Sequence, residues 1–376
     1  MSYKKLSYYI QQVNNRNRDL HVEMLLGVSI TKKLIPSIAN TVGTDMSTYK
    51  IIEKGQFAYG TITSRNGDKI SIALADEYEK ALVSQIYIVF EVIDKNELLP
   101  EYLMMWFSRP EFDRYARYHS HGSTRESFDW EDICNVELPI PSIEKQQEIV
   151  AQYQAVENKI KVNEQICEKL EATAQILYKQ WFEDYEFPNE EGQPYKSSGG
   201  AMVYNQELEK EIPEGWGLME FQKITHVTSG KSVKNPNGIK YPIYGAGGIT
   251  GYTDDYLFDE NIIVIGRVGT HGKVFIEYDK SYPSDNTLVF TPKYLCYSYF
   301  ILKFLNYDEL NKGGVQALLT QSDLKALTIL EPNFNLKEFE KQCEKFMIMK
   351  DKIDNQNQKL TQLQSLLLSR LATLDG

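Results

Sequence analysis

The residues of this chain with the widest chemical reach stand in short polar segments between apolar runs. In the first half they are Lys32 and Lys33, then Ser64, Arg65, Asn66 and Lys69, then His121, Ser123 and Arg125. In the second half they are Ser229, Lys231, Ser232 and Lys234, then Gly247, then Arg267, Thr270, His271 and Lys273, then Asn286 and Gln316. Ammonium, guanidinium, hydroxyl, carboxamide and imidazole groups on loops are the donors that neutralise phosphates and read base edges. Any one of them taken singly reads as solvated surface, and for Arg267 the alternative reading is a buried brace for its own glycine loop. Their recurrence in two sets is what points to a binding surface used twice.

Catalytic patterns are missing from the same loops. The glycine-rich stretches Tyr244-Gly245-Ala246-Gly247-Gly248-Ile249 and Gly266-Arg267-Val268-Gly269 match neither a dinucleotide fingerprint nor a phosphate-binding P-loop. They read as turns or as places where backbone approaches a ligand closely. No nucleophile elbow, HExxH or Asn-Pro-Pro-aromatic segment occurs. Cys134, Cys167, Cys296 and Cys343 are scattered, which suits buried thiols in a reducing cytoplasm, and no His/Cys cluster has metal-ligand spacing.

The elements that must position these loops follow from an internal duplication. Asp132 and Pro141 recur as Asp323 and Pro332, both 191 residues later, and each pair leads into a long apolar-periodic stretch. In the first, Ile149, Tyr153, Val156, Ile160, Asn163, Cys167, Leu170, Ala174, Leu177 and Trp181 advance by alternating threes and fours. In the second, Phe346, Met349, Ile353, Gln356, Leu360, Leu363, Leu367, Leu371 and Leu374 keep nearly that rhythm. Such seams predict coiled-coil helices, about Ile149 to Trp181 and Phe339 to Leu374. The polar seam residues Asn163 and Gln356 either set the helix register or face water where the helices splay. Helices of this length reach about 50 Å, so an antiparallel pair would hold two globular halves apart like a ruler.

Strand-like runs at Leu25–Ile30, Phe57–Thr63, Ile70–Ala75 and Ile86–Val92, then a helix from Pro100 to about Tyr118, make the first half a mixed domain. The second half repeats the plan, with Val227 to Ser232 set parallel to Thr31-Lys32-Lys33 and Ser284-Asp285-Asn286 parallel to Ser84-Gln85-Ile86. The reading is an α+β chain with an internal two-fold pseudo-repeat. Its parts are a mixed domain at 1–142, a spacer helix at 143–185, a linker at 186–214, a second domain at 215–334 and a second helix at 335–376. The net charge of −11 is uneven, with 6 basic against 14 acidic residues in 146–215 and 11 against 12 in 216–334. The acidity therefore sits on the first helix and linker, where it would repel DNA or dock a basic partner, and any phosphate-binding surface must be a local patch. No apolar run is long enough to span a membrane, and no signal-peptide core is visible at the start.

These motifs, in this order within a duplicated frame, resemble the specificity (S) subunit of Type I restriction–modification systems over essentially the whole chain. Pro213-Glu214-Gly215-Trp216, the two glycine-rich stretches, Ser284-Asp285-Asn286 and Leu319-Thr320-Gln321-Ser322-Asp323-Leu324 carry the likeness in the second half. Phe57-Ala58-Tyr59-Gly60, Ser123-Thr124-Arg125-Glu126-Ser127 and Leu138-Pro139-Ile140-Pro141 carry it in the first, which lacks the Pro-Glu-Gly-Trp opening. The resemblance implies two target recognition domains reading a split site in double-stranded DNA, with the helices setting the spacing between half-sites; a helix length of about 50 Å caps the centre-to-centre spacing at about 15 base pairs. It implies docking of two adenine-N6 methyltransferase (M) subunits and, through them, restriction (R) subunits. S-adenosylmethionine would then belong to M, ATP and magnesium to R, and no cofactor to this chain. The alternative readings are a coiled-coil protein-interaction scaffold that never touches DNA, and, behind it, an enzyme acting alone.

Overall fold

The computed structural model describes residues 3–39, 43–63, 69–121, 126–267, 273–310, 319–334 and 336–373. Of the candidate residues, Ser64, Arg65, Asn66, Ser123, Arg125, Thr270, His271 and Gln316 lie outside the described residues. The chain divides into two compact units, residues 1–163 with 355–376, and residues 164–354.

The first unit contains β1 (Tyr3–Lys5), β2 (Ile10–Val13), β3 (Leu25–Val28), β4 (Leu34–Pro36), β5 (Lys50–Glu53), β6 (Gln56–Gly60), β7 (Ser71–Leu74), β8 (Lys80–Val83) and β9 (Ile88–Val92). Then come α1 (Pro100–Phe107), α2 (Pro110–His119), α3 (Trp130–Cys134), β10 (Glu137–Pro139) and the long α4 (Ile143–Phe182), which continues into the second unit. One sheet has the order β2-β9-β6-β7 and another β4-β3-β8-β5, while β1 pairs with β10. The single helix expected from Pro100 to Tyr118 is two helices. Pro110 has no N–H to give, so the chain breaks at Ser108-Arg109 and restarts with Pro110 in the first turn of α2. The core is aromatic: Phe57 stacks on Phe90 with ring centroids 4.7 Å apart, and Phe107 meets both edge-on.

The second unit contains β11 (Met202–Asn205), β12 (Lys210–Pro213), β13 (Gly217–Glu220), β14 (Thr225–Ser229), β15 (Tyr241–Gly245), β16 (Gly248–Thr253), β17 (Ile262–Gly266), β18 (Val274–Glu277), β19 (Tyr282–Pro283) and β20 (Thr287–Pro292). It continues with α5 (Leu295–Phe304), α6 (Tyr307–Leu310), α7 (Gln321–Lys325), β21 (Thr328–Glu331) and α8 (Lys337–Arg370), the last turns of which belong to the first unit. The sheet orders are β14-β20-β17-β18 and β16-β15-β19, with β13 pairing β21. This is the first unit's plan again: Phe90 pairs with Gln12 and Phe57, and Phe290 pairs with Val227 and Ile263.

Two expectations need correction. Within residues 186–214, expected to be a linker, Met202–Asn205 and Lys210–Pro213 pair as the β11–β12 hairpin, and Phe187 stacks on Tyr195, Trp216 and Phe334. Burial of that aromatic cluster holds in place a stretch whose Pro, Gly and Ser content alone suggests a linker. The loop after β14 also does not correspond to Thr31-Lys32-Lys33. By strand pairing β14 matches β2, so its partner loop is Asn14 to Asn17, and the Thr31–Lys33 turn matches the Gly245–Gly248 turn between β15 and β16.

In each unit a segment of α4 packs antiparallel to a segment of α8. In the first, Asn163, 1% exposed, donates its Nδ2 protons to Gln356 at 3.1 Å and Asn357 at 2.7 Å. In the second, Cys167 lies against the carbonyl of Lys350, and Tyr178, Trp181 and Phe182 pack on Phe339. The seam of α8 follows the expected one only in part. Leu371 is buried as expected, but Met349 and Leu363 are 52% and 43% exposed, whereas Cys343, Met347 and Leu368, outside the expected seam, are buried. Three consecutive leucines, Leu366 to Leu368, made two registers equally apolar on paper.

Helix side chains also tie each sheet-covering helix in place. Gln146 accepts the N–H of Leu99 before α1 at 2.9 Å, and Glu340 accepts the N–H groups of Cys296 and Tyr297 at 2.9 and 2.8 Å. Those N–H groups belong to the first turn of α5 and have no intrahelical partner. Burial pushes the Glu340 carboxyl up to about 7 despite the two donors. A carboxyl raised on folding holds its proton more tightly in the native state, so its contribution to stability is greatest below the ordinary value of 4.5 and is lost as pH rises towards 7. Unfolding followed by circular dichroism should show the wild type losing stability between about pH 4.5 and 7, a loss that Glu340→Gln reduces. Glu340→Ala should cost about 1–3 kcal/mol by leaving both N–H groups without an acceptor.

Candidate nucleic-acid interface

In the second unit strand register gathers the candidate residues at one end of a sheet. Ser229 pairs with Leu288, Gly266 with Thr287, and Ile265 with Val274. The exits of β14 and β17 and the entrances of β18 and β20 therefore share that end, and with them Ser229 to Lys234, Arg267, Lys273 and the Ser284–Asn286 turn. Backbone bonds knit the loops together: Lys231 N–H donates to Pro283 O at 3.1 Å, Gly230 N–H to Thr287 O at 3.1 Å and Arg267 N–H to Asn286 O at 2.9 Å. The Gly247 turn stands at the same end, because Gly266 lies directly against the backbone of Ala246.

The side chains divide into braces and free donors. Ser232 donates to the Asp285 carboxylate at 2.6 Å, and Ser229 accepts from Gln321 Nε2 at 2.9 Å. Lys231, Lys234, Lys273 and Asn286 are exposed. None of these three lysines is in an ion pair among the described residues, so a cationic patch faces solvent on a chain of net charge −11. Arg267 combines both readings made from the sequence. Its backbone is clamped by Asn286 and by Leu319, whose N–H donates to Arg267 O at 3.2 Å. Its half-buried guanidinium keeps an Nε with no hydrogen-bond partner among the described residues.

The first unit builds the corresponding end from β2, β6, β7 and β9. Gly60 pairs with Ser71 and Tyr59 with Ile88, while Thr63 N–H donates to Glu126 O at 3.0 Å and His121 bridges to Ser127. Lys69 and His121 are exposed there. Lys33 is exposed but pairs with Glu157 of α4 at 3.2 Å. Lys32 departs from the phosphate contact expected of it. Its ammonium is buried on Asp113 at 2.7 Å, with the Phe107 carbonyl as a second acceptor, and Asp113 also accepts the N–H of Ile70 at 3.1 Å. Burial lowers its basicity against the opposing pull of Asp113. A lysine at φ 62°, held by a buried carboxylate, is a structural strut between the β3–β4 turn and the β7 entrance. Asn14, Asn15 and Arg16, which stand at the exit of β2 as Ser229, Gly230 and Lys231 stand at the exit of β14, carry no sequence signal because no fixed offset connects those loops.

Two units of one plan, each with a donor-bearing sheet end, define a duplicated recognition protein. The family model for the Type I restriction modification DNA specificity domain matches twice, at residues 30–172 and 213–365, and the chain belongs to that family. A stretch of 146 residues, 38% of this chain, is 39% identical to the Type I restriction enzyme MjaIX specificity subunit of Methanocaldococcus jannaschii. Another of 139 residues is 30% identical to the HindI specificity subunit of Haemophilus influenzae, over 36% of this chain. These matches span 31% and 30% of the length of those relatives. The fold is similar to the crystal structure of the S subunit from M. genitalium, with a TM-score of 0.60 at 13% identity over 100% of this chain and 96% of that one.

Glycine substitutions separate packing from mere turn preference. A Cβ on Gly230 would fall 2.1 Å from the carbonyl oxygen of Ser284, and backbone cannot yield as a side chain can, whereas one on Gly247 would meet nothing within 4 Å. Gly230→Ala should cost about 1–3 kcal/mol of stability, read as a lower denaturant midpoint, and Gly247→Ala should leave the midpoint unchanged. The buried pair gives a second contrast: Lys32→Ala should cost about 3–5 kcal/mol, and Lys33→Ala no more than about 1 kcal/mol.

Proposed function

We propose that this chain is the DNA-reading, non-catalytic specificity subunit of a Type I restriction–modification complex. Each unit reads one half of a bipartite duplex site, and the helices α4 and α8 set the gap between the halves. Two adenine-N6 methyltransferase subunits dock on the chain and restriction subunits join through them, in the cytoplasm. S-adenosylmethionine works on the methyltransferase, and ATP with magnesium on the restriction subunit. The observation that carries the reading is the repetition of one donor-bearing sheet end in both units.

The helices offer the partners a surface of suitable chemistry. Val162, Leu363 and Leu366 in the first unit, and Ile176, Ile348 and Met349 in the second, are large apolar side chains that α4 and α8 leave between 37% and 59% exposed. Solvent-facing apolar groups on a helix pair suit further helices from a partner. In the second unit a groove of about 760 Å³ adds Lys341, Lys345 and Lys352 around Ile348 and Met349.

Methylome sequencing of a host expressing this chain with its methyltransferase should reveal one new N6-methyladenine motif of two short parts and a fixed gap. An active methyltransferase that leaves no such motif would contradict the proposal. Arg267→Ala should weaken cognate binding by about 1–3 kcal/mol and relax one base position. Lys231→Ala should instead weaken all sequences alike and reduce the salt slope by about one.

A further inference from the structure

The turn before β9 and the turn before β20 are built alike. Tyr87 N–H donates to Ser84 O at 3.1 Å, and Thr287 N–H donates to Ser284 O at 3.0 Å. Both strands then pair at once with the central strand of their sheet, Ile88 with Tyr59 and Thr287 with Gly266. What the two turns present to solvent differs. The second unit offers Asp285 and Asn286. The first offers Gln85 and Ile86, the latter 70% exposed.

Ile86 is not isolated. Ile62, beyond β6, is 38% exposed at the same sheet end, and Ile30, in the β3–β4 turn, is 52% exposed just past the parallel β3–β8 pairing, from which β8 runs into the Ser84 turn. The turn matching that of Ile30 in the second unit is Ala246-Gly247. Single apolar residues scattered over a surface are ordinary, but three on neighbouring loops of a recognition face are not scattered. The backbone beneath Ile86 is held as well. Lys50 Nζ donates to Tyr87 O at 2.6 Å, and Arg16, bridged to the Lys50 backbone, donates to Thr48 O at 2.6 Å. Ile86 thus projects from a fixed turn.

The major groove presents one apolar group among its base-edge donors and acceptors, the C5-methyl of thymine. We propose that the first unit recognises a thymine methyl group through Ile86, whereas the second unit reads at the matching position by hydrogen bonding through Asn286. This assignment rests on the DNA-reading function and names the base chemistry within it.

The test uses the full chain assembled with its methyltransferase, on duplexes carrying the motif found by methylome sequencing. Each thymine is replaced in turn by deoxyuridine, which removes only the methyl. With the wild type, one replacement within a single half-site should weaken binding about four-fold, the worth of one buried methyl. Ile86→Ala and Ile86→Asn should bind the thymine and deoxyuridine duplexes equally, while positions in the other half-site keep their selectivity, which also shows that the variants are folded. Equal binding of all duplexes by the wild type would overturn the assignment. So would variants that retain the deoxyuridine penalty, or a motif in which only one half contains thymine and that half responds to Asn286→Ala rather than Ile86→Ala. A wild type that confers no bipartite motif would instead remove the DNA-reading function itself.

Discussion

Each unit of this protein needs both long helices to close its core. Leu368 and Leu371, near the end of α8, are buried with Leu6, Val136 and Val150 in the first unit, and the Tyr3 hydroxyl donates to Ala372 O at 3.0 Å. The beginning of α8 does the same for the second unit, where Phe339, Cys343 and Met347 are buried with Trp181, Phe182 and Tyr297. The repeat in the sequence is therefore not the folding unit. A cut between the halves of the duplication would deprive the first unit of the residues that cover its core, and burial of side chains of this size is worth about 1.5–3 kcal/mol each.

From that closure the rest follows within each unit. The helix pair presents Gln146 or Glu340 to the start of the sheet-covering helix, and that helix packs its aromatic residues on the sheet. At the opposite end of the same strands, Pro292 pairs with Thr225 near α5 while Thr287 pairs with Gly266 near the donor loops. The chemistry-bearing loops are thus placed away from the end at which the strands run into the helices. Their electrostatics are local. Lys231, Lys234 and Lys273 form a patch on a chain whose acidity lies mainly on α4 and the hairpin segment after it.

Much of this was legible in the residues themselves. The 3.5-residue spacing gave both long helices, and the Asp132/Pro141 and Asp323/Pro332 pairs revealed the duplication. What escaped was set by contacts that no local pattern records. Lys32 looks like any surface lysine until Asp113, 81 positions later, is folded against it. Leu366 to Leu368 fit two helix registers, and only the partner helix chooses between them. The β14 loop corresponds to the Asn14–Asn17 loop and not to the Thr31–Lys33 turn, because the offset changes from 215 residues at β2 to 200 at β9, as shown by Gln12 and Phe90 facing each other where Val227 and Phe290 do. The need for glycine at 230 depends on a carbonyl from Ser284, which sequence cannot place.

The central claim is that two separate sheet ends each read their own stretch of duplex. Hydroxyl-radical footprinting of the assembled complex on its methylation motif tests this most directly. Two protected segments should appear, coincident with the two specific parts of the motif. Lys231→Ala with Lys273→Ala should weaken one of them first as salt is raised, leaving the other in place. A single protected segment, or two that weaken together under that substitution, would contradict a chain built from two independent readers.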